Sequence, residues 1–123
     1  MFAEVKELLT FIEPEEESYD AQIIAEIKAC ALDLTRTAEI VLPGKIDITR
    51  EKVLGKWVIT DNSDITDDYV IKTIATWCNK EIGNPPNYEN LLKAYESRKG
   101  SMRLSKHYTN YGDAEPAEEA TTE

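Results

Sequence analysis

Apolar residues recur at Phe2, Val5, Leu8, Leu9 and Ile12. This is the i, i+3, i+4, i+7 stripe of an amphipathic helix, and it predicts one over 2–12 that Pro14 ends. A second stripe runs through Ile23, Ile27, Cys30 with Ala31, Leu34 and Ala38, with Glu26, Lys28, Asp33 and Arg36 on other faces. It predicts a long helix over 18–40, in which Ala25, Ala29, Ala31 and Ala38 leave room for a closely packed neighbour. Pro43-Gly44 breaks the chain, and the period then changes. Residues 45–49 and 56–60 are β-branched and partly alternating, so the strand-like stretch 45–60 predicts two short strands joined through Arg50–Gly55. Val70, Ile74, Trp77 with Cys78, and Ile82 predict a third helix over 66–82, with Thr66 as N-cap and Asp67-Asp68 in its first turn. Gly83 stands where a left-handed C-terminal residue belongs, and Pro85-Pro86 forbids continuation. Asn87 opens a fourth helix over 87–104 with Tyr88, Leu91, Leu92, Tyr95 and Met102 as its apolar positions. Arg98-Lys99-Gly100 interrupts that stripe, so the helix is expected to leave the body or fray there.

These elements predict a mainly α fold: a small four-helix bundle with a short β-hairpin or extended loop inserted between helices two and three. The bundle forms a single domain over 1–111, and 112–123 is expected to be an acidic disordered tail. An isolated hairpin is marginal in water, so this one must pack on the helices or pair with another chain. No internal repeat is visible.

The chain has 123 residues, with 41% hydrophobic and 31% charged positions, the composition of one soluble domain. Fourteen Lys and Arg against twenty-four Asp and Glu leave a net charge of −10. That sign opposes general nucleic-acid binding, which rests on neutralising phosphates. Five of the acids lie in the tail, so the folded part is only moderately acidic. The start of the chain lacks the basic and apolar regions of a signal peptide, and no apolar run approaches the ~18 residues of a membrane span. An intracellular soluble protein with no membrane contact is expected.

Cys30 and Cys78 are 48 positions apart with no cysteine near either, and both have apolar neighbours. They read as small reduced core residues, and with the lone His107 they cannot build a zinc site. Glu13, Glu15, Glu16 and Glu17 form an acidic run without the spaced ligands and glycine turn of a calcium loop. It reads as a charged flank at the positive end of the next helix. No phosphate-binding glycine loop, HExxH or GxSxG occurs, and His107 lies outside the predicted apolar core. Catalytic, cofactor and metal residues are therefore predicted as none, and the chain as not an enzyme.

Two features stand above this background. From Glu89 to Tyr111 five cations, Lys93, Arg98, Lys99, Arg103 and Lys106, face only Glu89 and Glu96, a local +3. This can be a solvated helix end, where cations suit the dipole. It can equally be a docking segment for an acidic protein surface: Arg98, Lys99, Arg103 and Lys106, with Met102, Leu104, Tyr108 and Tyr111 as apolar anchors. The second feature is the 45–60 stretch. Trp57 there either caps the core or belongs, with Ile46, Ile48 and Ile59, to a loop that reaches a neighbouring subunit.

The run from Ile65 to Gly112, ITDDYVIKTIATWCNKEIGNPPNYENLLKAYESRKGSMRLSKHYTNYG, resembles the C-terminal half of the head–tail connector (adaptor) proteins of long-tailed bacteriophages. The shared pattern is a helix opening with ITD, an aromatic about two-thirds along it, a Gly-Asn-Pro break, and then Tyr, Leu-Leu, Ala-Tyr-Glu, Lys-Gly, Met-Arg and Tyr-Thr in order. The resemblance covers about 48 residues well and the first half loosely. The strand-like middle and the acidic tail depart from the family pattern.

The resemblance implies a structural protein of the virion neck, present in the host cytoplasm before assembly. It would form a ring with copies of itself, typically twelve, under the portal protein, and offer a platform to a stopper or tail-completion protein. Genome DNA would pass through the channel without sequence-specific binding. The resemblance assigns portal docking to the Arg98–Tyr111 stretch. The alternative from composition is a small acidic helical regulatory or inhibitor protein that binds a basic partner. A mimic of DNA would need carboxylates in phosphate-like rows, whereas here they are spread around the helices and gathered in the tail.

Overall fold

The computed structural model describes residues 1–109. Five helices and one antiparallel hairpin follow in the order α1 (Phe2–Glu7), α2 (Asp20–Leu32), β1 (Ile48–Val53), β2 (Lys56–Asp61), α3 (Asp68–Glu81), α4 (Tyr88–Arg103) and α5 (Lys106–Thr109). A single π-turn, Asp33–Thr37, extends α2. This corrects the expected mainly α four-helix bundle. Over the described residues the fold is mixed helix and sheet, about 53% helix and 11% strand, with a fifth helix beyond α4. The predicted tail, 112–123, lies outside the described residues.

Each departure from the expected boundaries has a local cause. The first helix stops at Glu7 rather than near Ile12 because Asn79 of α3 takes over its last polar groups. The Asn79 side chain donates to the Leu8 carbonyl at 3.2 Å and accepts from the Thr10 N–H at 2.9 Å. The second helix widens into the π-turn at Asp33, where Thr35 Oγ1 donates back to the Ala31 carbonyl at 2.8 Å. Leu34, Ala38 and Ile40 stay buried through this turn, so the apolar stripe is kept although the α-helical hydrogen bonding is not. Asp67, not Thr66, is the N-cap of α3: its Oδ1 accepts from the N–H groups of Tyr69 and Val70 at 2.9 and 3.2 Å.

The hairpin is longer and tighter than predicted. Arg50–Val53 belong to β1, and only Leu54-Gly55 turn the chain, with Val53 paired to Lys56 and Ile48 to Asp61. Its foot is tied down. Gly44 is required there by close approach, since a Cβ would meet Asp64 Oδ1 at 2.5 Å. That carboxylate instead accepts from the Lys45 N–H at 2.6 Å.

One core joins all of this. Phe2, Val5 and Leu9 of the N-terminal segment, Ile23, Ile27, Cys30 and Leu34, Ile48 at the hairpin foot, Val70, Ile74, Cys78 and Ile82, Tyr95 and Met102 pack together. Within it Lys6 Nζ lies 2.7 Å from Asp20 Oδ1, with both side chains under a tenth exposed. Asp61 sits below α1 and accepts from the Phe2 N–H at 2.6 Å and the Ser63 N–H at 3.0 Å. Partial burial opposes its charge, but these hydrogen bonds win and hold its carboxyl at about 2.

Candidate functional site

The basic C-terminal segment is sorted by the fold into two sets. Met102 is fully buried and Tyr108 nearly so. Lys99 Nζ lies 3.1 Å from Asp33 Oδ2, with 12% of its side chain exposed. Arg98 stacks its guanidinium 4.9 Å from the centre of the Tyr69 ring. Its Nη1 is buried with no hydrogen-bond partner among the described residues. These contacts explain why α4 does not fray at Arg98-Lys99. Arg103, Leu104 and Lys106 form the second set, all exposed, with Leu104 at 89%. Tyr111 lies outside the described residues.

Asp33 organises the buried set. Tyr95 Oη donates to Asp33 Oδ2 at 2.6 Å, and Cys30 Sγ contacts the same phenol at 3.9 Å. Partial burial works against the Asp33 charge, yet the bonds from Tyr95 and Lys99 hold its carboxyl below the ordinary range. Burial raises the Tyr95 phenol and pushes the Cys30 thiol up to about 12. Both cysteines are free and buried, so neither has the exposed thiolate of a nucleophile. Among the described residues, no three His, Cys, Asp or Glu side chains converge as a metal site. None of the described helices is long and apolar enough to cross a membrane.

The short α5 is latched back on the body. Tyr108 Oη donates to Asp67 Oδ2 at 2.7 Å, and the Tyr108 carbonyl accepts from the Val41 N–H at 2.6 Å. Asp67 therefore serves the α3 cap with one oxygen and the latch with the other. Partial burial would raise its carboxyl, but the bonds from Tyr108, Val70 and Tyr69 lower it. A depressed carboxyl contributes stability that is complete above its unfolded value and is lost as pH falls through its folded value. Tyr108→Phe should thus cost about 1.5 kcal/mol near pH 7, and less in acid, once pH has fallen through the lowered folded value of Asp67. Urea unfolding of the two proteins at both pH values measures this. An equal loss at both would mean that the latch is not held by the charge of Asp67.

The hairpin carries the other predicted set. Ile48 is in the core. Ile46 is half-buried and faces Ala31, Leu32 and Thr35 of the α2 region across a cleft of about 320 Å³. Ile59 is half-buried and Trp57 is 52% exposed, so Trp57 does not cap the core. Arg50 lies 3.8 Å from the centre of the Trp57 indole and Lys52 at 5.3 Å, on the hairpin face these three share. Trp57 and Ile59 line a cleft of about 230 Å³ with Arg50, Glu17 and Asp20, along the hairpin face that meets the start of α2.

The hairpin is nonetheless open to solvent over most of its length. Every residue from Glu51 to Val58 is exposed, including Val53, Leu54, Trp57 and Val58. Val53, Leu54 and Val58 were not singled out by the sequence reading. The signal that could have found them is a Leu-Gly pair between β-branched runs, the position of a two-residue turn. The α4–α5 segment and the hairpin remain two separate candidate surfaces, one basic and one apolar with a basic rim. No protein-family model, curated protein or solved structure matches this chain.

Proposed function

We propose that this chain is a structural adaptor of a phage neck, which assembles as a ring under the portal protein and joins head to tail. The observation that carries the reading is the open hairpin. It exposes eight consecutive residues with four large apolar side chains, and has no third strand to cover its edges among the described residues. A two-stranded ribbon of this kind is marginal alone and suits contact with another chain. The order of residues from Ile65 to Gly112 supports the same reading through its likeness to the connector family. So does the acidic balance, because a negative wall lets DNA slide past without sticking. The role is structural rather than catalytic.

Portal contact falls to the exposed set Arg103, Leu104 and Lys106, with Arg98, Lys99, Met102 and Tyr108 holding the segment in shape. This division decides the test. Cutting the chain after Lys99 would remove Met102 and Tyr108 and open the core, so loss of binding would say nothing about docking. The triple variant Arg103→Glu, Leu104→Asp, Lys106→Glu leaves the core intact. Light-scattering mass after size exclusion should show the native chain eluting with the matching portal protein and the variant eluting free. A native chain that never associates with the portal contradicts the reading.

A further inference from the structure

A guanidinium that leaves water is normally met by an anion, and that of Arg98 is not. Its Nη1 is closed off from solvent with no hydrogen-bond partner. Lys72 pairs with Asp68, and Lys99 with Asp33 and Glu96, but no ion pair among the described residues includes Arg98. The Tyr69 ring, 4.9 Å away, holds the guanidinium in place. The side chain as a whole is half-buried and lines a groove of about 190 Å³ with Leu8, Lys72, Ala75, Thr76 and Asn79. Thr76 and Asn79 already donate to the Lys72 and Leu8 carbonyls, and Lys72 is shared with Asp68. The uncompensated charge of the groove is therefore that of Arg98.

The chain carries carboxylates to this spot. Thr109 ends α5, and the Tyr108 ring just before it stacks at 6.4 Å on the same Tyr69 ring. The guanidinium and the end of the described chain are thus one aromatic ring apart. Residues 110–123 hold five carboxylates, Asp113, Glu115, Glu118, Glu119 and Glu123, and no cation. Four residues of extended chain span about 14 Å, so Asp113 is the first that reaches Arg98, and Glu115 follows. A tether this short gives them an effective concentration in roughly the millimolar range, which favours them over carboxylates of another molecule. Ala114, Pro116 and Ala117 stand between and beside these acids, small apolar residues that suit Leu8 and Ala75.

We propose that the segment Asp113–Ala117 folds back into the Arg98 groove of its own chain, with the carboxylates of Asp113 and Glu115 on the open edge of the guanidinium. The contact goes beyond the adaptor reading and needs no portal.

A nitroxide label at Ala120→Cys tests it by NMR in the full chain, because Cys30 and Cys78 are buried. At low salt the label should broaden the amide signals of Leu8, Ala75 and Thr76, and about 0.5 M salt should remove most of that broadening. Asp113→Asn with Glu115→Gln should lose it at low salt, and so should Arg98→Gln. The first of these touches none of the core, so it reads the contact even where Arg98→Gln fails to fold. A native chain whose groove signals stay sharp overturns the proposal, as does a pair of variants that broaden as fully as the native chain. Broadening passed from a labelled chain to an unlabelled, isotope-enriched chain would also overturn it, in favour of exchange between copies. Either failure leaves the adaptor reading standing, because Arg103, Leu104 and Lys106 lie outside this groove.

Discussion

Lys6→Met should destabilise the protein by about 3–5 kcal/mol, enough to unfold a typical small domain at a modest urea concentration. The lysine and Asp20 pair at 2.7 Å, and neither side chain is a tenth exposed. Removing the ammonium leaves a nearly buried carboxylate without its ion-pair partner. The pair itself need not be stabilising. Lys6→Met combined with Asp20→Leu replaces both charges by apolar groups of similar size, and should return stability to within about 1 kcal/mol of the native value or above it. Urea unfolding of the two proteins measures both halves. A single variant as stable as the native protein would mean that Asp20 is hydrated, and the packing of α1 against the start of α2 would be wrong.

Met102→Ala should cost about 2–5 kcal/mol, whereas Leu104→Ala, two residues later, should change stability by less than about 0.5 kcal/mol. The contrast matters more than either number. Both residues belong to the stretch read from sequence as docking anchors, but Met102 is fully buried and Leu104 is 89% exposed. A side chain cannot fill the core and anchor a partner at once. The pair of variants therefore separates the residues that shape the C-terminal segment from those free to bind. A small loss at Met102 would place the end of α4 off the body and return that residue to the candidate surface.

How far the chain could be read from its sequence follows from where each signal lies. Periodicity found the helices because the apolar stripes at Ile23–Leu34 and Val70–Ile82 are local and strong. Their ends were misplaced where a distant partner decides them. Asn79 stops α1 from 69 residues away. Asp33 keeps α4 helical through Arg98-Lys99 by meeting Tyr95 and Lys99 from the π-turn. Nothing adjacent in sequence announces either contact. The fold class failed for a related reason. Arg50–Val53 carry three charged positions and little alternation of burial, because from Glu51 onward that strand is exposed on both faces. A period-2 pattern appears only where one face is buried. The same exposure makes the hairpin tip informative: Val53, Leu54, Trp57 and Val58 are large and apolar yet open to solvent.

The candidate surfaces were legible by composition and not by geometry. The cationic stretch after Glu89 and the aromatic at Trp57 stood out in an acidic chain, but which side chains point outward needed the fold. Lys99 is spent on Asp33, and Trp57 lies open under Arg50.

Electron microscopy of the chain mixed with the matching portal protein tests the central claim most directly. The adaptor account predicts averaged images in which a second ring, with the symmetry of the portal, sits on one face of the portal ring. Bare portal rings at saturating native chain would contradict the account.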